Sequence, residues 1–290
     1  MIHYEGTIWR PPSEARSLIV QATIGCAHNQ CTFCTMYKDK KFRIRSVEEI
    51  KQDIAYAAKT YGRQIQKLFL ADGDALSIPT KELVEIIDYA KRQLPWLSSI
   101  SSYGTALDVI RKGETQLKEL KEAGLTMVYM GAESGDEMIL KEVRKGITKQ
   151  QLIEAGKMLK QAGILNSLTL ISGLGGRKFL KEHAINSAHL ISEIKPEYLG
   201  FLTLMIDENA VLYEKIKSGE MELLQPEEVM EEMRLFLERT DSEGTIFRSN
   251  HASNYVMLKG TLNEDKDLML AQVKKAEAEC LFRKENYRRL

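Results

Sequence analysis

The sequence predicts an α/β fold, a partial (βα)6 barrel of the TIM type with a helix-rich C-terminal extension packed on it. Three observations point there. Short apolar, β-rich runs alternate with longer amphipathic stretches through the first two thirds of the 290 residues, the rhythm of parallel strands joined by helical crossovers. Glycines and polar residues recur where these runs end, and α/β barrels gather their chemistry at the carboxyl ends of strands. The first run leads into a cysteine loop, Gly25-Cys26-Ala27-His28-Asn29-Gln30-Cys31-Thr32-Phe33-Cys34, where a doubly wound dinucleotide fold would place a G-x-G-x-x-G turn.

In order, the candidate strands are Leu18 to Thr23, Lys67 to Ala71, Ser98 to Ser102, Met127 to Met130, Ser167 to Ile171 and Tyr198 to Leu204. Helix starts are legible between them. Ser46-Val47-Glu48-Glu49 and Thr148-Lys149-Gln150-Gln151 read as capping boxes, and Pro79 suits a first helical turn. The strand ends carry Asp72-Gly73-Asp74, Tyr103-Gly104, Gly131-Ala132-Glu133-Ser134-Gly135 and Gly173-Leu174-Gly175-Gly176. The last has Lys178 where a dinucleotide fingerprint needs its third glycine, so nicotinamide binding is not expected. Any one of these glycines ends a strand without further meaning. Their shared register with the cysteine loop points to one functional face.

Beyond Met205 the pattern turns helical, with Gln225 to Arg239, a short strand at Thr245 to Ser249 and a charged helix from about Asn263. No low-complexity linker separates this part, so residues 1–205 are expected to form the core and 206–290 an extension in the same compact unit. The polar run Arg248-Ser249-Asn250-His251-Ala252-Ser253-Asn254-Tyr255 reads equally as a hydrogen-bonded turn and as a substrate site.

Lys plus Arg and Asp plus Glu both number 41, an even balance that argues against a nucleic-acid partner and favours a small-molecule substrate. No apolar run approaches the roughly 20 residues of a bilayer span. No positively charged leader with an apolar core opens the sequence, so a reducing cytoplasm is the expected setting. Three of the four cysteines sit in one loop. A structural zinc site generally takes four N or S ligands in paired spacings, and only His28 is available locally. A cubane [4Fe–4S] cluster is usually held by four thiolates, so three in one loop suggest an iron left for a ligand that is not protein. Cys280 lies in charged helical sequence far from the loop, and Cys26, Cys31 and Cys34 are the expected metal ligands.

The aromatic before the last cysteine, the six-fold βα rhythm and the strand-end glycines resemble the radical S-adenosylmethionine superfamily over roughly residues 16–205. Within it the likeness is to the oxygen-independent coproporphyrinogen oxidase, elongator-type and tRNA methylthiotransferase-like groups. The family loop is C-x3-C-x2-C. Here it reads C-x4-C-x2-C, with one extra residue between Cys26 and Cys31. The resemblance implies a [4Fe–4S] cluster on the three cysteines, with S-adenosylmethionine on the fourth iron. It also implies an electron from flavodoxin or ferredoxin, and reductive cleavage to a 5′-deoxyadenosyl radical that takes hydrogen from a substrate. It places Phe33 against adenine, the Asp72-Gly73-Asp74 backbone at the methionine amino group and Glu133 at the cofactor. Lys145 matches a partner of the cofactor carboxylate, Thr169 a residue near the ribose, and Gly173-Leu174 the backbone beside adenine. Tyr103, Tyr129, His251 and Asn254 remain as candidate substrate residues. The competing readings are a non-catalytic Fe–S or haem carrier, with His28 and His251 as axial ligands, and a tRNA-modifying enzyme. The local hint for the latter is Arg283, Lys284, Arg288 and Arg289 near the terminus.

Overall fold

The computed structural model describes residues 1–288. The elements run β1 (Leu18–Gln21), β2 (Thr23–Ile24), β3 (Arg43–Ile44), α1 (Val47–Tyr61), β4 (Lys67–Ala71), α2 (Thr80–Gln93), β5 (Ser99–Tyr103), α3 (Ala106–Ala123), β6 (Leu125–Glu133) and α4 (Glu137–Glu142). There follow α5 (Lys149–Gln161), β7 (Leu165–Ser172), α6 (Leu180–Ile194), β8 (Tyr198–Thr203), α7 (Val211–Lys217), α8 (Pro226–Arg239), β9 (Ile246–Ser249), β10 (Leu258–Thr261) and α9 (Lys266–Glu279). The α/β class and the parallel strands are as the sequence predicts. The first expected strand is shorter: β1 ends at Gln21, and at Ala22 the carbonyl accepts from Arg45 N while the N–H still donates to Ala71 O of β4. Thr23 and Ile24 then pair antiparallel with Ile44 and Arg43, a two-stranded ribbon that brackets the cysteine loop.

The chain divides into two compact units. Residues 1–29, 36–130 and 154–166 form the first; residues 30–35, 131–153 and 167 onward form the second. In the first, β1, β4, β5 and β6 pair in parallel in that order. Leu68, Phe69 and Leu70 of β4 are fully buried, the near-continuous apolar run of a strand covered on both faces. Ile50 and Ile54 of α1, Ile86 and Ile87 of α2 and Leu117 and Leu120 of α3 recur at helical spacing and are likewise fully buried. The Ser46 capping box is formed, with Ser46 Oγ accepting from Glu49 N.

In the second unit β7, β8 and β9 are parallel, and β10 returns antiparallel to β9. The β9–β10 pair shows why β10 escapes sequence reading: Leu258-Lys259-Gly260-Thr261 has one fully apolar residue and an internal glycine. Phe201, Phe236 and Phe247 bring β8, α8 and β9 together, with ring centroids 5.0 to 6.3 Å apart. Each such buried ring contributes roughly 1.5–3 kcal/mol. Among the described residues no helix is long and apolar enough to cross a membrane.

Candidate functional site

The start of the cysteine loop is anchored by a carboxylate at the end of β4. Asp72 is fully buried, and its Oδ2 accepts hydrogen bonds from Gln21 Nε2 at 2.8 Å, Gly25 N at 3.1 Å and Lys40 Nζ at 2.8 Å. Lys40 also donates to the Thr7 carbonyl at 2.6 Å. A buried charge needs such pairing, since an isolated ion in the interior costs several kcal/mol. The Asp72 side chain thus serves the loop, where the resemblance had placed a cofactor segment. Its Oδ1 has no hydrogen-bond partner. Lys40 and Gln21 were missed by sequence reasoning, because Lys40 stands in a charged run that reads as solvated surface. Gly73 is required by space: a Cβ there would lie 2.7 Å from the Tyr37 ring and 3.1 Å from Cys26 Cβ. Its backbone therefore passes directly against the first cysteine.

Asp74 is buried against Asp108, the residue that caps α3 with Thr105. Burial first, then the hydrogen bond and charge of Asp108, hold its carboxyl well above the usual carboxylate range. Its side chain is held toward its protonated form beside the start of α3.

In the second unit Thr32 fixes the rest of the loop: Thr32 N donates to Val143 O at 3.0 Å, and Leu212 N donates to Thr32 O at 2.8 Å. Phe33 packs on a buried apolar cluster of Ile139, Val143, Leu174, Leu204 and Leu212. The structure thus brings Phe33 and Leu174 together in one apolar setting. At the end of β6, Lys145 Nζ donates to Glu133 Oε1 at 2.8 Å. Gly131 makes room for this pair, since a Cβ there would meet Glu133 Oε1 at 2.0 Å. Thr169 of β7 lies beside Gly200 of β8, in register. Gly173, at φ 80°, ends β7 and donates its N–H to Glu232 Oε1 at 3.0 Å. Glu232 and its neighbour His183 are a second pair that the sequence reading missed, because they stand far apart on two ordinary amphipathic helices.

The four candidate substrate residues fall in two places. Tyr103 and Tyr129 pack edge-on to Phe69, with centroids 4.9 and 5.7 Å away. Tyr129 Oη donates to Glu14 Oε1 at 2.6 Å, and Ser101 Oγ donates to the same oxygen at 2.9 Å. Burial, then the neighbouring Tyr129, pushes the Tyr103 hydroxyl well above its ordinary pKa. Asn254 is buried, with Oδ1 accepting from Thr203 Oγ1 at 2.9 Å and Nδ2 donating to Phe201 O at 2.8 Å. Its amide is committed to β8. His251 Nδ1 accepts from Ser253 N at 3.1 Å and lies 2.9 Å from Ser253 Oγ. Burial, then Arg283, lowers its pKa. Arg283 donates to the His251 and Ala252 carbonyls, and Arg288 Nε to Ser253 O at 2.7 Å. These terminal arginines hold the turn together, which weakens their reading as a nucleic-acid face; Arg289 lies outside the described residues.

All four cysteines are thiols, Cys280 exposed and the loop three partly buried. Among the described residues no three His, Cys, Asp or Glu side chains gather as a mononuclear metal site requires. A soft, all-thiol donor set in a loop anchored through Gly25 and Thr32 fits an iron–sulfur cluster, whose irons take separate thiolates.

Comparison with known proteins agrees. Residues 20–191, more than half of the chain, match the family model of the Radical SAM superfamily. The heme chaperone HemW of Bacillus subtilis is 23% identical over 189 residues, covering 64% of this chain and 49% of HemW. An uncharacterized methyltransferase of Pyrococcus horikoshii is 31% identical over 151 residues, covering 50% of this chain and 30% of that protein. The chain therefore spans about half the length, or less, of these curated relatives. Among solved structures, coproporphyrinogen III oxidase (HemN) from Escherichia coli superposes with a TM-score of 0.58 at 15% identity, over 78% of this chain and 54% of that one. Methylornithine synthase (PylB) gives 0.53 at 18%, over 91% and 85%. These likenesses show the barrel-type fold that the sequence predicts. The chain belongs to the radical SAM superfamily, whose cofactors are a [4Fe–4S] cluster and S-adenosylmethionine.

Proposed function

We propose that this chain is an enzyme in which Cys26, Cys31 and Cys34 hold the [4Fe–4S] cluster and the strand ends hold S-adenosylmethionine for reaction with a small molecule. The observation that carries the reading is the anchoring of the loop: Gly25 by the buried Asp72, Thr32 by backbone bonds to Val143 and Leu212. When bound, the two cofactors supply reductive cleavage and hydrogen abstraction. The chain's own residues bind and orient. Glu133 and Lys145 form an opposite-charge pair whose two charges would complement the ammonium and carboxylate of the cofactor's methionine end. Gly73 and Gly173 bring bare backbone to the ligand, with Thr169 as a polar neighbour for the ribose. Phe33 and Leu174 supply an apolar wall that keeps water from adenine. Tyr103 and Tyr129 are the aromatic candidates for substrate contact. A low-potential flavodoxin or ferredoxin is the fitting electron donor.

The likeness to HemW favours one second reading, a carrier that passes on haem. One anaerobic experiment separates them: with reductant and S-adenosylmethionine, the reconstituted enzyme is expected to release 5′-deoxyadenosine, whereas a carrier releases none. Cys26→Ala, Cys31→Ala and Cys34→Ala are each expected to lose the cluster iron, and Cys280→Ala to keep it. Full iron content in Cys31→Ala would sink the ligand assignment.

A further inference from the structure

Helices α6 and α8 meet at a pair of ionisable side chains with no access to solvent. His183 is 1% exposed and Glu232 0%, and Nδ1 stands 3.2 Å from Oε1, an ion-pair separation without the alignment of a hydrogen bond. Burial by itself lowers the imidazole pKa, but Glu232, the Glu133 carbonyl and Asp136 outweigh it and raise the value. A buried pair of this kind is a poor source of stability, because replacing it with apolar side chains of similar size is often neutral or favourable. What it touches is more telling. Glu232 Oε1 accepts the Gly173 N–H at 3.0 Å, and His183 Nε2 lies 3.5 Å from the Glu133 carbonyl oxygen. Glu133 and Gly173 end β6 and β7, and both adopt left-handed backbone, at φ 65° and 80°. For Glu133 that conformation is unfavourable without outside support. The second oxygen of Glu232 has no hydrogen-bond partner, so this carboxylate is spent on the turn and the imidazole.

We infer that His183 and Glu232 are positioning residues that together fix the strand-end turns at Glu133 and Gly173 in the form that receives S-adenosylmethionine. The inference rests on the function proposed above, which gives both turns to the cofactor. One ion pair then sets two ligand-facing segments at once, and a helix of the C-terminal region takes part in cofactor affinity.

The test compares reconstituted wild type, the double variant His183→Leu/Glu232→Met and Glu232→Gln. Affinity for S-adenosylmethionine is read from its effect on the cluster's electron paramagnetic resonance spectrum, beside iron content and melting temperature. The double variant keeps apolar packing and removes the acceptor of Gly173 N–H, so it is expected to bind about tenfold more weakly, with iron content maintained and the melting temperature lowered only by that one unpaired N–H. Glu232→Gln retains an acceptor and is expected to stay within about threefold of wild type. Unchanged affinity in the double variant would overturn the inference and leave the proposed function standing. No effect of S-adenosylmethionine on the wild-type spectrum would overturn both. If the double variant does not fold, amide exchange in the metal-free wild type decides: Gly173 N–H should exchange as slowly as the core strands, and exchange at the rate of open loops would overturn the inference.

Discussion

His251 and His183 both belong to the second unit, the first in the turn between β9 and β10 and the second between α6 and α8. Around His251, Ser253, Arg283 and Arg288 bond within a short stretch and its C-terminal neighbours, while Asn254 ties the turn to Thr203 and Phe201 of β8. The histidine there has a lowered pKa and ordinary partners. Around His183 the paired carboxylate, Glu232, is drawn from an element 49 residues further on, with Asp136 adding its charge, and the pair reaches the backbone ends of two strands. Local polar density here signals a turn bonded to itself and to the strand beside it. Sparse polar residues on separate helices are the ones that fold into a shared, desolvated arrangement.

The comparison can be broken by stability measurements. Glu232→Ala leaves an imidazole buried without its counter-charge and Gly173 N–H without an acceptor, and should cost about 3–5 kcal/mol in urea unfolding. A loss below about 1 kcal/mol, the range of an exposed pair, would mean that the pair is not buried as described.

Asn254→Ala should come next, at about 1–3 kcal/mol, because it strands the Thr203 hydroxyl and the Phe201 carbonyl in the interior. A negligible loss would return Asn254 to the list of residues facing a ligand.

His251→Ala should cost about 0.5–1.5 kcal/mol, the net value of an ordinary hydrogen bond at a half-buried turn. Intact stability together with lost substrate turnover would reverse the contrast and make His251 a substrate residue.

The pH dependence sharpens the same contrast at smaller amplitude. The His183 pKa is raised by folding, so its contribution is complete below the ordinary histidine value and is lost as pH rises through the raised one. His251, with a lowered pKa, opposes folding below the ordinary histidine value and ceases to matter above it. Urea midpoints taken from mildly acidic to alkaline pH should therefore fall for wild type relative to His183→Gln. Parallel curves would remove the imidazole charge from the account.

By itself the sequence determined the alternation of strands and helices, because apolar periodicity and capping residues act within a few positions. β4 at Lys67–Ala71 and α1 behind Ser46 formed as read. It also placed three thiols, Cys26, Cys31 and Cys34, in one short loop, since their spacing is a local property, and the glycines at 73, 131 and 173. The tertiary structure decided what those glycines are for: Gly73 admits Cys26 and Tyr37, Gly131 admits Glu133 and Lys145, and Gly173 gives its N–H to Glu232. It also decided which charged residues leave solvent. Lys40 and Glu232 look like members of solvated runs, and only the packing of distant segments buries them beside Asp72 and His183. Burial is a property of the assembled chain, and a charge acquires its partner and its positioning role only when water has been removed around it.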